Sequence, residues 1–335
     1  MVKFVRLLAA CAALSLSVGV LDANAEQSHL RIAQTYAPSQ IPTYVLREKQ
    51  ILEKHVAAAG LDTVVEYTRL SSGADINDLV LSGNADVGVS GIGPLSAIWD
   101  KTEGDGKVRG MMGLALMRSS LMTTDPRIQS LDDFGPDDRI AVTVPITGTE
   151  AVILRLAAAK KWGEDSFKRL DGNMVGLPAD DAMGLVLSGK AEVKSHMIIP
   201  PWSEIEKRAG ARVVMTSDEV YGTMLTAVLP YTTERFRQNN PKLYRAVIDA
   251  YKEAIQFVRD NKREAAEIYL KYEPKKVGVD DVMTYFGEGA DIDFDPAPQG
   301  FFIATTFLNK VGALRNKPES WKDFFFDDAW GENGS

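Results

Sequence analysis

Apolar residues along this chain fall into short strand-like runs separated by stretches of helical period, and one such pattern occurs twice. Arg31-Ile32-Ala33-Gln34-Thr35 is matched 108 positions later by Arg139-Ile140-Ala141-Val142-Thr143. Leu79-Val80-Leu81-Ser82-Gly83-Asn84-Ala85-Asp86-Val87 is matched at an offset of 106 by Leu185-Val186-Leu187-Ser188-Gly189-Lys190-Ala191-Glu192-Val193. In both copies a strand-like segment, a loop and a helix precede the Leu-Val-Leu-Ser-Gly unit. There the helix carrying Leu79 and Leu81 runs into Gly83, a residue type that accepts the left-handed conformation ending many helices, and Gly189 does the same in the second copy. A brief strand follows each exit, over 87–89 and 193–197. The period is too long for a solenoid. The alternation predicts an α/β protein with parallel strands, built as two lobes on one plan.

In open parallel sheets small ligands sit beyond the carboxyl ends of the strands, in loops that open the next helices. The pattern places such loops at 36–42 (before a helix through about His55), at 69–75 after a strand over 63–68, and at 90–94 before a helix from Leu95. In the second copy they fall at 145–150, after a strand over 139–144, and at 198–202. The last third does not repeat the plan. Asn240-Pro241 opens a helix whose Leu243, Val247, Ala250, Ala254 and Val258 form a stripe, Asn261 to Glu264 resembles a capping box for a helix through Tyr272, and a further helix stops at Gly312.

The first 25 residues read as an export address rather than as structure. Lys3 and Arg6 precede an uncharged apolar run from Leu7 to Leu21, and Ala23-Asn24-Ala25 supplies a small-x-small cleavage pattern, so a mature chain would begin at Glu26. The run is shorter than the roughly 20 residues of a spanning helix. Leu8-Ala9-Ala10-Cys11 resembles a lipobox, but cleavage there would leave only four apolar residues after Arg6. Cys11 is the only cysteine, so a mature chain would hold neither disulfide nor thiol nucleophile.

Composition changes this picture little. The 335 residues are 45% hydrophobic and 25% charged, enough for more than one core. The formal net charge of −8, which loss of the leader would move to −9, comes without a basic tract and argues against nucleic acid as a partner. Enzyme signatures are absent: the three histidines form no metal-ligand spacing, no GxSxG elbow occurs, and Pro296 stands where a calcium loop beginning at Asp291 would need glycine. Asp291 to Asp295 therefore reads as an acidic loop, and the aromatic run Trp321, Phe324, Phe325, Phe326 and Trp330 as a packed C-terminal strap.

The leader, the paired Leu-Val-Leu-Ser-Gly units, Ser-Gly-Ile-Gly-Pro at 90–94, the segment from Ile128 to Val142, Thr147-Gly148-Thr149, and Leu225–Pro230 followed by Asn240-Pro241 together resemble the nitrate/sulfonate/taurine family of ABC-transporter solute-binding proteins. That resemblance implies a periplasmic-binding-protein fold (type II-like) with two α/β lobes. Residues 26–117 plus 223–335 would form lobe one and residues 118–222 lobe two. It further implies a periplasmic, monomeric protein that closes on a small anionic solute, without a cofactor, and then docks on an ABC-transporter membrane permease.

Helix-opening loops present free backbone N–H groups to an anion. On that basis Ser39, Gln40, Ser90, Gly91, Thr147, Gly148 and Thr149 are candidate ligand contacts, with Tyr36, Arg69, Ser71 and His196 beside them. Arg69 could serve as a bidentate partner or be a solvated arginine, and Arg118 near the crossover has the same standing. His196 is expected at the end of a lobe-two strand. Tyr36 and Trp202 would stack on a ring-bearing ligand or cover the cleft wall, so a neutral heterocycle such as a pyrimidine is the alternative ligand. An enzyme using His196 and Asp181 for proton transfer is the other alternative.

Overall fold

The computed structural model describes residues 26–335 apart from 147, 190, 191, 275 and 276. The expected leader with Cys11, and the candidate Thr147, lie outside the described residues.

Twelve strands form two sheets among the described residues. In the first, β1 (His29–Gln34) lies between β2 (Val64–Arg69) and β3 (Val87–Ser90), all parallel. β4 (Val108–Gly110), β5 (Ala115–Met117), β11 (Leu225–Thr233) and β12 (Ile292–Asp293) complete it, giving the order β12-β5-β11-β3-β1-β2 with β4 also on β11. The second sheet contains β6 (Ser120–Thr123), β7 (Arg139–Val142), β8 (Met174–Gly176), β9 (Val193–Ile198) and β10 (Arg212–Thr216), in the order β10-β6-β9-β7-β8.

The repeat is visible in this pairing. β1 sits between parallel β2 and β3, with antiparallel β11 beyond β3; β7 sits between parallel β8 and β9, with antiparallel β6 beyond β9. The chain crosses between the sheets twice, from Met117 to Ser120 and from Thr216 to Leu225.

Each Leu-Val-Leu-Ser-Gly unit ends its helix as its glycine suggested, with Gly83 at φ +71° and Gly189 at φ +64°. The central valine, rather than the flanking leucines, is the buried one: Val80 and Val186 are covered, while Leu81 and Leu185 are exposed. Helices Gly73–Leu81 and Ala179–Ser188 aim Ile76 and Val80, and Ala182 and Val186, inward, an i, i+4 face.

Other boundaries differ from the sequence expectation. The helix expected through His55 is two helices, Ile41–Glu48 and Ile51–Ala58, because Gln50 takes a left-handed conformation at φ +52° between them. The helix expected from Leu95 starts at Ile92, so Ile92, Gly93 and Pro94 form its first turn. Helix Pro241–Asp260 buries the whole stripe from Leu243 to Val258 against both short N-terminal helices. The expected capping box does not form: the Asn261 amide donates back to the Phe257 carbonyl instead of capping helix Lys262–Tyr272.

The C-terminal strap packs as expected through Trp321, Phe324, Phe325 and Phe326, all buried, while Trp330 is exposed. Phe301, Phe324, Phe325 and Trp99 join in a ring cluster, and helix Phe301–Lys310 reaches the second sheet's helix Thr149–Trp162. No helix among the described residues is long and apolar enough to cross a membrane.

Candidate functional site

The loops that leave β1, β3 and β7 at their carboxyl ends each open a helix whose start carries no side-chain cap: Ile41–Glu48 (entered through a 3-10 turn, Pro38–Gln40), Ile92–Lys101 and Thr149–Trp162. Uncapped starts leave backbone N–H groups free for another acceptor at Ile92 and Thr149, whereas the Ile41 N–H already donates to the Pro38 carbonyl and Pro42 has none. Helix Gly73–Leu81, after β2, is different, because the Ser72 hydroxyl already accepts from the Asp75 N–H and Ser71 donates to the Asp75 carboxylate. Ser71 is thus occupied with its own turn.

On the first sheet the loops are tightly built. Gln40 is fully buried; its amide donates to the Thr35 hydroxyl (3.0 Å) and the Val89 carbonyl (3.2 Å), tying loop 35–40 to the end of β3. Ser39 and Ser90 are nearly covered. A Cβ on Gly73 would fall 2.4 Å from the Ser90 hydroxyl oxygen, and one on Gly91 would lie 3.1 Å from the Ala227 carbonyl, so both glycines allow the loops to close on each other. Tyr36 is half-exposed, with the Arg69 guanidinium over its ring at 4.7 Å from the centroid. Arg69 ends β2 and donates to the Tyr272 carbonyl (2.6 Å).

On the second sheet, loop 143–148 is pinned at both ends. The Gly148 N–H donates to the Val144 carbonyl (3.1 Å), and a Cβ at 148 would sit 2.5 Å from that same oxygen. Ile146 stands at φ +74°, a left-handed conformation rare for a β-branched residue. Its carbonyl accepts from Arg155 (3.1 Å), whose buried guanidinium makes a bidentate pair with Asp171 at 2.8 and 2.6 Å. Thr143 donates to Glu150 in the first helical turn after Thr149 (2.8 Å).

One candidate, His196, sits elsewhere than the sequence suggested, while Arg118 lies at the expected crossover. His196 does not end its strand; it is the fourth residue of β9 and fully buried, with Nδ1 2.7 Å from Glu206 on helix Trp202–Arg208. Alternation along the strand turns it under that helix rather than into a loop. Arg118 lies in the first crossover, where it donates to Asp218 (3.0 Å) and Asp291 (3.1 Å). Asp291 also accepts from Lys207 (2.8 Å) and is buried, so the segment read as an acidic loop is instead an anchor between the two sheets. Trp202 donates to Asp180 (2.7 Å) at the start of helix Ala179–Ser188. Sequence reasoning missed Val144, Ile146, Arg155 and Asp171. The 108-residue offset contained a signal for the first of these, since it maps Tyr36 onto Val144.

The crossover network makes a pH prediction. Burial would raise the Asp218 carboxyl, but hydrogen bonds from Arg118 and Thr216 outweigh it and hold the group below its ordinary value. A depressed folded-state pKa stabilises above the unfolded value of about 3.9 and loses that contribution as pH falls through the folded value beneath it. The melting-temperature advantage of the wild type over Asp218→Asn is expected to be full at pH 6 and to shrink below about pH 4. A gap that persists unchanged to pH 3 would contradict this assignment.

No family model matches the chain, and no curated protein matches it in sequence. Solved structures do match in fold. The periplasmic aliphatic sulphonate binding protein SsuA from Escherichia coli superposes with a TM-score of 0.69 at 14% identity, over 90% of this chain and 93% of that one. The periplasmic nitrate-binding protein NrtA from Synechocystis PCC 6803 gives 0.65 at 16% identity, over 91% and 88%. A Candida albicans gene product described as having the generic periplasmic binding protein structural fold gives 0.61 at 14%, over 92% and 96%. With two sheets of one strand plan, two crossovers and helix-opening loops at the strand ends, the chain has the periplasmic-binding-protein fold.

Proposed function

We propose that this protein is the extracytoplasmic solute-binding component of an ABC importer, that it captures a small acid between its two lobes, and that it hands the solute to a membrane permease. The observation that carries the reading is the set of three uncapped helix starts at the carboxyl ends of β1, β3 and β7, drawn from both sheets. Each such end carries about half a positive charge, and those at Ile92 and Thr149 also carry aimed N–H donors. The fold supports the same reading, since several proteins that share it are named as sulfonate- or nitrate-binding. Ser39, Ser90, Gly91 and Thr149 would contribute backbone or hydroxyl donors, with Thr147 two positions before Thr149, while Gly148, whose N–H is taken by Val144, would let the loop turn tightly. Arg69 would supply a cation. Gln40 would hold loop 35–40 in place through its buried amide.

The enzymic alternative loses its proton carrier, because the His196 imidazole is enclosed against Glu206. A thermal-shift panel of purified 26–335 tests the binding reading. A small acid at 100 times its dissociation constant stabilises by about 2.7 kcal/mol, several degrees at roughly 2–4 °C per kcal/mol. A rise with acids, and none with neutral pyrimidines or amino acids, is the expected result; a rise only with a heterocycle would overturn the anion assignment.

A further inference from the structure

Helix Trp202–Arg208 is short, seven residues, yet it is bonded to both halves of the molecule. Ser203 and Glu206 are buried on the side that meets the second sheet, and the Glu206 carboxylate lies 2.7 Å from Nδ1 of the enclosed His196 on β9. Lys207 and Arg208 reach the other way. Lys207 donates to Asp291 (2.8 Å) and to Glu204 one turn back (2.8 Å), and Arg208 donates to the Asp281 carboxylate and to the Thr284 hydroxyl (3.0 Å).

The groups they reach belong to the first sheet's half. Asp291 directly precedes β12, which pairs with β5, and Asp281 lies in helix Val279–Met283, packed against helix Lys262–Tyr272. Asp291 is also fastened to the first crossover: its carbonyl accepts from the Arg118 N–H (2.8 Å), and its carboxylate from the Arg118 guanidinium. That guanidinium also holds Asp218 in the second crossover. One carboxylate, 4% exposed, thus joins both crossovers to the helix.

The grip is ionic and partly wet, with Lys207 32% exposed and the Arg208 and Asp281 side chains 46% and 39%. Pairs of that kind hold weakly one by one and are screened by salt, so they can let go without unfolding either half. The other contact across the halves, Phe167 edge-on to Phe307 at 5.9 Å between centroids, is apolar and lacks that sensitivity.

We propose that helix Trp202–Arg208 is a releasable clasp that sets the angle between the two halves. His196 and Glu206 root it in the second sheet, Lys207 and Arg208 are its grip on residues 281–291, and Asp291 is the hub. The clasp is independent of which solute the cleft takes.

Small-angle X-ray scattering of the protein without added solute tests it, on wild type, the Lys207→Met, Arg208→Met double variant and Lys252→Met. Asp291 keeps Arg118 as a partner in the double variant, so its charge is not stranded. Lys252→Met breaks the Lys252–Glu332 pair within one half and is the control. In 0.15 M NaCl the double variant is expected to have a larger radius of gyration and maximum dimension than wild type, and the control to match wild type. Raising NaCl to 1 M, where the Debye length falls from about 8 to about 3 Å, is expected to shift wild type toward the double variant and to leave the latter unchanged. The salt series on wild type needs no variant to fold. Superposable curves for wild type and the double variant, an equal shift in the control, or a wild-type curve indifferent to salt would each overturn the clasp and leave the solute-binding reading untouched.

Discussion

Replacing Arg155 with alanine is expected to cost about 3 kcal/mol of stability, the low end for leaving one partner of a buried ion pair behind, because the Asp171 carboxylate stays partly solvated. Arg155 is nearly enclosed in helix Thr149–Trp162, and Asp171 loses both of its charge-assisted hydrogen bonds with it. The Ile146 carbonyl loses its donor in the same step, and the left-handed backbone there loses its brace. Against a total of about 5–15 kcal/mol for a folded protein, this is a large fraction. Chemical denaturation of Arg155→Ala measures it directly. The Arg155→Met, Asp171→Leu double variant removes both charges at similar volume and is expected to recover much of the loss. If the double variant is less stable than Arg155→Ala alone, the buried pair is not the origin of the effect.

Phe325→Ala is expected to be comparably damaging, about 3–5 kcal/mol, the range for emptying a buried phenylalanine site. The ring is fully enclosed, meeting Phe301 edge-on at 5.0 Å between centroids and Trp321 at 5.7 Å. Gly110 on β4 leaves the space the ring occupies, since a Cβ there would fall 2.6 Å from it. The neighbouring Phe326 N–H donates to the Gly110 carbonyl (3.0 Å), so this cavity undermines the seam that fastens the strap to the first sheet. Limited proteolysis is expected to cut Phe325→Ala within residues 315–335 at protease levels that leave the wild type intact. Trp330→Ala, at the half-exposed end of the same strap, is expected to cost clearly less than Phe325→Ala, since it removes only a half-covered ring and the indole N–H bonds to the Lys322 and Phe325 carbonyls (3.3 Å each).

Both predictions concern residues whose importance was unequally visible in the sequence. The aromatic run from Trp321 to Trp330 announces a packed strap because few other functions need so many rings in ten residues. Arg155 looks like an ordinary cation on an alanine-rich helix, and only the approach of Asp171, sixteen residues later, makes it a buried brace. The same holds for Arg118 and Asp291, which are 173 residues apart and meet between the two sheets.

By itself, the sequence determined the repeated strand–helix plan, the parallel pairing that follows from it, the left-handed stops at Gly83 and Gly189, and the buried stripe from Leu243 to Val258. These are local consequences of backbone geometry and of the periods 2 and 3.6, which any stretch of ten to twenty residues carries within itself. Only the tertiary structure decided that Val80 rather than Leu81 faces the core, that His196 turns under a helix toward Glu206, that Arg118 is held by two carboxylates, and that Ile146 stands strained at the end of a strand. Those outcomes depend on which distant groups arrive beside each side chain. Periodicity assigns a residue to a face of its own element, whereas burial, charge pairing and strain are set by the elements packed against it.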